Sequence, residues 1–151
     1  MAWHAAYPQL LWLMTDDAHY GPTFRHSNAL AREVGAFPQR HDPWQHPRST
    51  RHARRLPFFF GGEEWATYVH VEHAHDLGAH EYEAYHALGK PVFLGEDRYE
   101  QDHGPRLDPT HLRYWQRRLS SARLLAGGAA NHVGRWWAVQ PYAETGTRPT
   151  T

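Results

Sequence analysis

Short apolar runs alternate with helix-like stretches along this chain of 151 residues. The clearest runs are residues 10–14, 65–72 and 90–95, each rich in branched or aromatic side chains and closed by polar residues. Runs of this length and composition predict buried strands. Because helix-like segments separate most of them, we expect parallel strands with helical connections.

The first helix is predicted over residues 29–37. Ser27 and Asn28 can serve as N-caps, and Pro38 stops the pattern. The side chains expected to face the core recur at helical spacing and are Leu30, Val34 and Phe37.

Two more helices have clear start or stop signals. Residues 78–88 form one that Gly89 ends, whereas Asp108 and Pro109 open a longer one that the glycine pair at 127–128 ends. The buried stripe expected for the longer helix is Leu112, Trp115, Leu119, Ala122 and Ala126.

Two weaker segments complete the pattern. Residues 46–52 are polar and interrupted by proline, which is typical of a loop or a poor strand, and residues 132–139 form a last strand. With both strands the order is β-α-β-β-α-β-α-β, an α/β fold of about five parallel strands with right-handed connections.

Composition narrows the class of partner. The 16 basic and 16 acidic side chains cancel, so no overall field attracts nucleic acid or an anionic membrane. Seven Trp and eight Tyr could stack on neutral sugar rings, although an aromatic-rich core is the commoner cause of such a content. The absence of cysteine excludes disulfides and thiol nucleophiles. No apolar run is long enough to span a bilayer and no signal peptide is recognisable, so the compartment stays open.

Carboxylates follow three of the predicted strands. Asp16 and Asp17 close the first, Glu72 closes the second, and Glu96 and Asp97 close the third. In parallel β/α folds the carboxyl ends of the strands open onto one shared face. Two carboxylates facing each other across a pocket are the minimum requirement for cleaving a glycosidic bond, although a helix cap or solvated acid explains any single one.

The stretch Lys90-Pro-Val-Phe-Leu-Gly-Glu96 resembles the seventh strand of the barrel in the clan of retaining glycosidases that includes cellulases. The continuation through Tyr99 and Glu100 narrows the resemblance to the apiosidase-like barrel family, a family of (β/α)8-barrel glycoside hydrolases. The other segments that carry it are Leu11-Trp-Leu-Met-Thr-Asp16-Asp17, Glu72-His-Ala-His75 and Ala126-Gly-Gly-Ala-Ala-Asn-His132.

The resemblance implies roles for individual residues. Glu96 would be the nucleophile and Asp17 the general acid/base, with Asp16 as a rival because the family has glycine there. Candidate contacts to sugar hydroxyls are His46, His52, Glu72, His75 and His132. Tyr99 and Glu100 would orient Glu96, and either Trp136 or Trp137, but not both, could stack on a sugar, because neighbours on a strand face opposite ways.

A full barrel of this type has eight strands and about 250 residues, whereas this chain resembles strands four to eight. We therefore expect a partial TIM (β/α)8 barrel over residues 1–140, followed by a flexible tail over 141–151. The missing strands would belong to a longer enzyme, or another copy or chain would close the barrel.

Two other functions fit parts of the sequence. One is a barrel remnant that binds carbohydrate at the carboxyl ends of its strands without cleaving it. The histidines at 70, 73 and 75 beside Glu72 could hold a metal, but no His-Glu-x-x-His or calcium-type loop is present, so the sequence predicts neither metal nor cofactor. Arg51, Arg54 and Arg55 form a small basic cluster that is typical of a solvated loop.

Overall fold

The computed structural model describes residues 6–15, 18–51, 58–73, 79–97, 109–128 and 130–131. Its elements follow the order β-α-β-β-α-β-α-β, which agrees with the sequence pattern. The strands are β1 (Trp12–Leu13), β2 (Arg48–Ser49), β3 (Val69–His73), β4 (Val92–Asp97) and β5 (Ala130–Asn131), and the helices are α1 (Arg25–His41), α2 (Ala79–His86) and α3 (Pro109–Leu125).

All described strand pairs are parallel. β1 pairs with β2, and β3, β4 and β5 form a second sheet in that order. The carbonyl of Arg48 in β2 accepts hydrogen bonds from the N–H groups of Thr67 and Tyr68, at 2.8 and 3.4 Å, just before β3 begins. These bonds place the segment before β3 beside β2, and the parallel strands with intervening helices fit an α/β fold.

The core lies on the helix side of β3 and β4. Val69 and Val71 of β3 and Val92 and Leu94 of β4 are almost fully buried there. Phe58 and Phe60, from the apolar run after the basic cluster, complete it together with the residues Tyr20, Ala31, Trp65, Ala66 and Tyr82.

Helix α1 buries a different face from the one that the apolar pattern predicts. Leu30, Val34 and Phe37 are 49%, 36% and 46% exposed. The buried residues are instead Asn28, Ala31, Gly35 and Pro38. The reason is close packing: the Trp65 ring lies where a Cβ on Gly35 would be, so only a stripe of small residues lets the helix approach this near.

The ends of α1 also differ from the prediction. The helix begins at Arg25 after Phe24, which caps it without a side-chain hydrogen bond. Asn28 instead lies inside the first turns, where its side-chain amide bonds both the N–H and the carbonyl of Gly21. Pro38 does not stop the helix, since the backbone continues to His41 and the N–H of Asp42 still bonds the Pro38 carbonyl at 2.8 Å.

The glycine stop signals are confirmed. Gly89 and Gly127 have φ of +67° and +86°, the left-handed conformation that ends a helix at little cost for glycine. In α3, Ala122 is exposed although the pattern predicts it to be buried, while Ala126 packs against the core. The strands are also displaced, since β3 starts at Val69 and β4 ends at Asp97.

Some predictions fall where nothing is described. The strand over residues 132–139 and the tail over 141–151 lie outside the described residues. Within the described part, no helix combines the length and the apolar character that a membrane span requires.

Candidate functional site

The carboxyl ends of β1, β2 and β4 meet at one edge of the fold. Thr15 follows β1, Thr50 and Arg51 follow β2, and Glu96 lies near the end of β4. The N–H of Arg51 bonds the Thr15 carbonyl at 3.3 Å, which continues the parallel pairing of β1 and β2 to this edge. This is the face on which β/α enzymes carry their reactive groups.

A bulge in β4 sets the direction of Glu96. Val71 pairs with Leu94, but the next residue of β3, Glu72, pairs with Glu96, so Gly95 is an extra residue in β4. Simple alternation would align Glu96 with Val92 and Leu94, toward the apolar core. The extra residue moves it to the register of Glu72, and bulges are known to redirect side chains in this way next to active sites.

Glu96 forms an ion pair with Arg51. The contact joins the Glu96 Oε2 and Arg51 Nη2 atoms, and the two side chains are only 14% and 16% exposed. The pair thus connects the end of β4 with the end of β2 across the intervening β3. An adjacent guanidinium favours the ionised form of a carboxylate.

Three hydroxyl groups lie next to the backbone of Arg51, and we call Thr15, Tyr20 and Thr50 the hydroxyl cluster. The Thr15 hydroxyl contacts both the Tyr20 and the Thr50 hydroxyls, and the last two are 3.0 Å apart. The Thr15 and Thr50 hydroxyls also donate to the carbonyl of Arg51, at 3.4 and 3.3 Å. Asp16 and Asp17 lie in sequence between Thr15 and Tyr20.

Glu72 is brought to the same strand ends by the backbone. It pairs in register with Glu96, and His73 pairs with Asp97. Two predicted site residues, Glu72 and Glu96, therefore sit side by side on neighbouring parallel strands.

His46 lies at the other end of β2. Its Nδ1 is 2.7 Å from Asp42 Oδ2, and its Nε2 is 3.0 Å from the carbonyl oxygen of Tyr7. Asp42 also accepts a hydrogen bond from the Trp12 indole at 3.0 Å. The structure therefore buries His46 in a network at the amino end of the sheet and does not bring it together with Glu96.

The remaining predicted residues lie outside the described part of the chain, so their roles stay predictions. They are Asp16, Asp17, His52, His75, Tyr99, Glu100, His132, Trp136 and Trp137. Within the described ranges, no three potential metal ligands of the His, Asp or Glu type come together.

Sequence reasoning missed two residues of this site. Arg51 was expected in a solvated loop, whereas it is largely buried against Glu96. Gly95 was expected to close a regular strand, whereas it forms the bulge. A glycine inside a strand pattern, directly before an acidic residue, is a sequence signal for such a bulge.

The chain resembles solved structures in fold. One, described as a glycoside hydrolase, matches 97% of this chain and 38% of its own length, with a TM-score of 0.68 and 14% identity. Another, a glycoside hydrolase family 5 protein from Bacteroides vulgatus, matches 89% of this chain and 34% of its own length, with a TM-score of 0.65 and 15% identity. Neither a family model nor a curated protein sequence matches the chain.

These likenesses define the fold as that of part of a glycoside hydrolase. The chain spans little more than a third of the length of either structure. At 14–15% identity the likeness is one of fold alone, and the closer resemblance to the apiosidase-like family stays a prediction.

Proposed function

We propose that this chain is the catalytic-face portion of a glycoside hydrolase, a partial (β/α)8 barrel in which Glu96 is the nucleophile. One observation carries the proposal: a carboxylate redirected by a bulge at a strand end, charge-paired with Arg51, in a chain with a glycoside-hydrolase fold. The substrate class is a neutral or weakly charged saccharide of plant or microbial origin.

In the proposed reaction Glu96 attacks the anomeric carbon of the bound sugar. Asp17, or Asp16 in its place, donates a proton to the leaving glycosidic oxygen, and a glycosyl ester of Glu96 forms. The residue that gave up its proton is now a carboxylate and acts as a base. It takes a proton from a water molecule while that water attacks the glycosyl ester, and Glu96 is released as a carboxylate. Because the nucleophile must be ionised at the start, a neighbouring cation such as Arg51 favours this role.

The other predicted site residues take supporting roles in this proposal. Glu72, next to Glu96 in register, would contact sugar hydroxyls together with the histidines predicted above, and Tyr99 and Glu100 would orient Glu96. Further β/α units, from the same protein or another chain, would complete the barrel and the pocket.

The test is to replace Glu96→Gln and to measure hydrolysis of a panel of 4-nitrophenyl glycosides and soluble plant polysaccharides. We expect kcat to fall by at least about three orders of magnitude, since removing the nucleophile abolishes the covalent route. Glu63→Gln is the matched control, because Glu63 is also paired with an arginine, Arg32 at 2.7 Å, but away from the site.

Wild-type turnover of an active substrate by Glu96→Gln would disprove the role of Glu96. A second measurement is mass spectrometry after incubation with 2-deoxy-2-fluoro glycosides carrying good leaving groups, which should label the peptide that contains Glu96. Sugar binding detected by tryptophan fluorescence, without hydrolysis of any substrate, would instead favour a non-catalytic binding protein.

A further inference from the structure

We propose that Arg51 is the positioning residue of Glu96 and that the hydroxyl cluster of Thr15, Tyr20 and Thr50 holds Arg51 in place. This inference rests on the proposed function for its catalytic meaning, although its structural part can be tested without any activity. It assigns a role to four residues that the resemblance does not include.

The main chain of Arg51 is fixed on both sides of its Cα. Its N–H donates to the Thr15 carbonyl, and its own carbonyl accepts from the Thr15 and Thr50 hydroxyls. These bonds tie the start of the segment after β2 to the end of β1. The Arg51 side chain therefore leaves a restrained backbone before it reaches Glu96.

The hydroxyl cluster is itself anchored in the core. Tyr20 is buried, and its ring packs edge-on against Phe60 at 4.9 Å between centroids. Thr50 is fully buried. Tyr20 and Thr50 are shielded from water, so their hydroxyls depend on partners within the cluster and on the Arg51 carbonyl. Each hydroxyl has one proton to donate, so the three groups share these contacts and do not make all of them at once.

The backbone brings acidic residues into the register of Glu96 and next to it in sequence. Glu72 is its register neighbour on β3, and Asp97 follows it in β4, so the backbone gathers acidic residues at this point. The His70 ring of β3 lies beside Gly95, the residue before Glu96, and is a further titratable group at this position. Arg51 is in direct contact with Glu96, and its positive charge favours the ionised form that a nucleophile needs.

The decisive comparison is Arg51→Met against Arg51→Lys in the full chain. Glutamate labelled with 13C at the side-chain carboxyl is incorporated, Glu96→Gln assigns the signal, and NMR follows its titration with pH. In Arg51→Met we expect the Glu96 carboxylate to take up its proton at a higher pH than in the wild type. Arg51→Lys should restore most of the wild-type titration, because it keeps the charge.

The hydroxyl cluster has its own variants. Thr50→Val and Tyr20→Phe keep the shape and remove one hydroxyl each, so we expect a smaller shift in the same direction, and Thr50→Ser should restore it. Arg32→Met is the matched control, since it breaks the surface ion pair with Glu63 and should leave Glu96 unchanged. If Arg51→Met does not fold, Thr50→Val, Thr50→Ser and Arg51→Lys carry the same test.

Kinetics give a second readout on any aryl glycoside that the wild type cleaves. Arg51→Met should lower kcat by about one to two orders of magnitude with little change in KM, and the acid limb of the pH profile of kcat/KM should move to higher pH. An unshifted Glu96 titration in folded Arg51→Met would overturn the inference. A shifted titration together with wild-type turnover by Glu96→Gln would support the positioning role and refute the proposed function.

Discussion

Asp42 is a buried carboxylate held by four hydrogen bonds. They come from the Trp12 indole, the N–H groups of Trp44 and His46, and the His46 ring. Burial raises the pKa of Asp42, but these hydrogen bonds outweigh it and lower the pKa from 3.8 to about 2. The ionised form is therefore preferred in the folded state, and this network joins β1 to the segment before β2.

The Asp42 network predicts a pH dependence of stability. Because the pKa in the folded state lies below the unfolded value, the unfolded chain binds more protons between about pH 4 and pH 2. The stabilisation is complete above that window and is lost as the pH falls through it, by about 2 kcal/mol in total. Urea unfolding between pH 2 and 5 measures this loss.

The Asp42→Asn variant provides the comparison. It should lower the free energy of unfolding at pH 6 and remove most of the slope in the acid window. Glu64→Gln, at an exposed position, should leave that slope as in the wild type. An equal acid slope in wild type and Asp42→Asn would show that other groups cause it.

For individual residues such as Glu96, the sequence predicts the position in the fold but not the contacts of the side chain. A run of apolar residues that ends in an acid places Glu96 at the end of a strand, and the structure agrees. Arg51 is far from Glu96 in sequence, and the two meet only because β2 and β4 flank β3. A long-range ion pair of this kind depends on strand order, which no local pattern contains.

Among the secondary-structure elements, β4 contains a bulge that a regular strand lacks. Gly95 is the extra residue of its bulge, and the His70 ring of β3 occupies the space where a Gly95 Cβ would lie. His70 is buried and packs at 5.9 Å from the Phe93 ring, so it has little room to move away. The bulge therefore requires glycine at this position.

We expect Gly95→Ala to lower the free energy of unfolding by about 1–3 kcal/mol, because the new methyl group overlaps the His70 ring. Adding His70→Ala should recover part of that loss by removing the ring. Gly62→Ala is the matched control, since no atom lies within 4 Å of its Cβ position. Thermal unfolding of the wild type and these three variants measures the effect, and a fully stable Gly95→Ala would refute the packing of His70 on Gly95.

Helix α1 shows why periodicity can locate a helix and still misplace its buried face. The apolar side chains at 30, 34 and 37 satisfy the helical period, but so do the small residues Ala31, Gly35 and Pro38. The face with the small residues is the buried one, because only there is enough space for the Trp65 ring to pack against the helix. The shape of a partner 30 residues away is not present in the pattern of the helix itself.

At the scale of the whole molecule, β1 is an edge strand of the described part and has exposed apolar side chains in and beside it. It pairs with β2 on one side, and Leu11 and Leu13 are 48% and 40% exposed. Edge strands with exposed apolar side chains favour pairing with another chain. We therefore propose that this edge is covered in the functional protein, as barrel closure would require.

The chain expressed alone should accordingly self-associate, and Leu13→Lys should weaken that association by placing a charge on the edge. Sedimentation velocity over a range of protein concentrations measures the effect. Leu124→Lys is the matched control, because Leu124 is also an exposed leucine but lies on helix α3 and not on a strand. A wild-type chain that stays monomeric and melts cooperatively at all concentrations would contradict the open edge.

The bulge at Gly95 shifts the alternation of β4 by one residue, so every residue after it changes face. Without the bulge, a regular strand of the same sequence would turn Glu96 to the face of Val92 and Leu94 and bring a charged group into the apolar core. The extra residue and the acid therefore depend on each other. In evolution, we expect related chains to retain the two together or to lose them together.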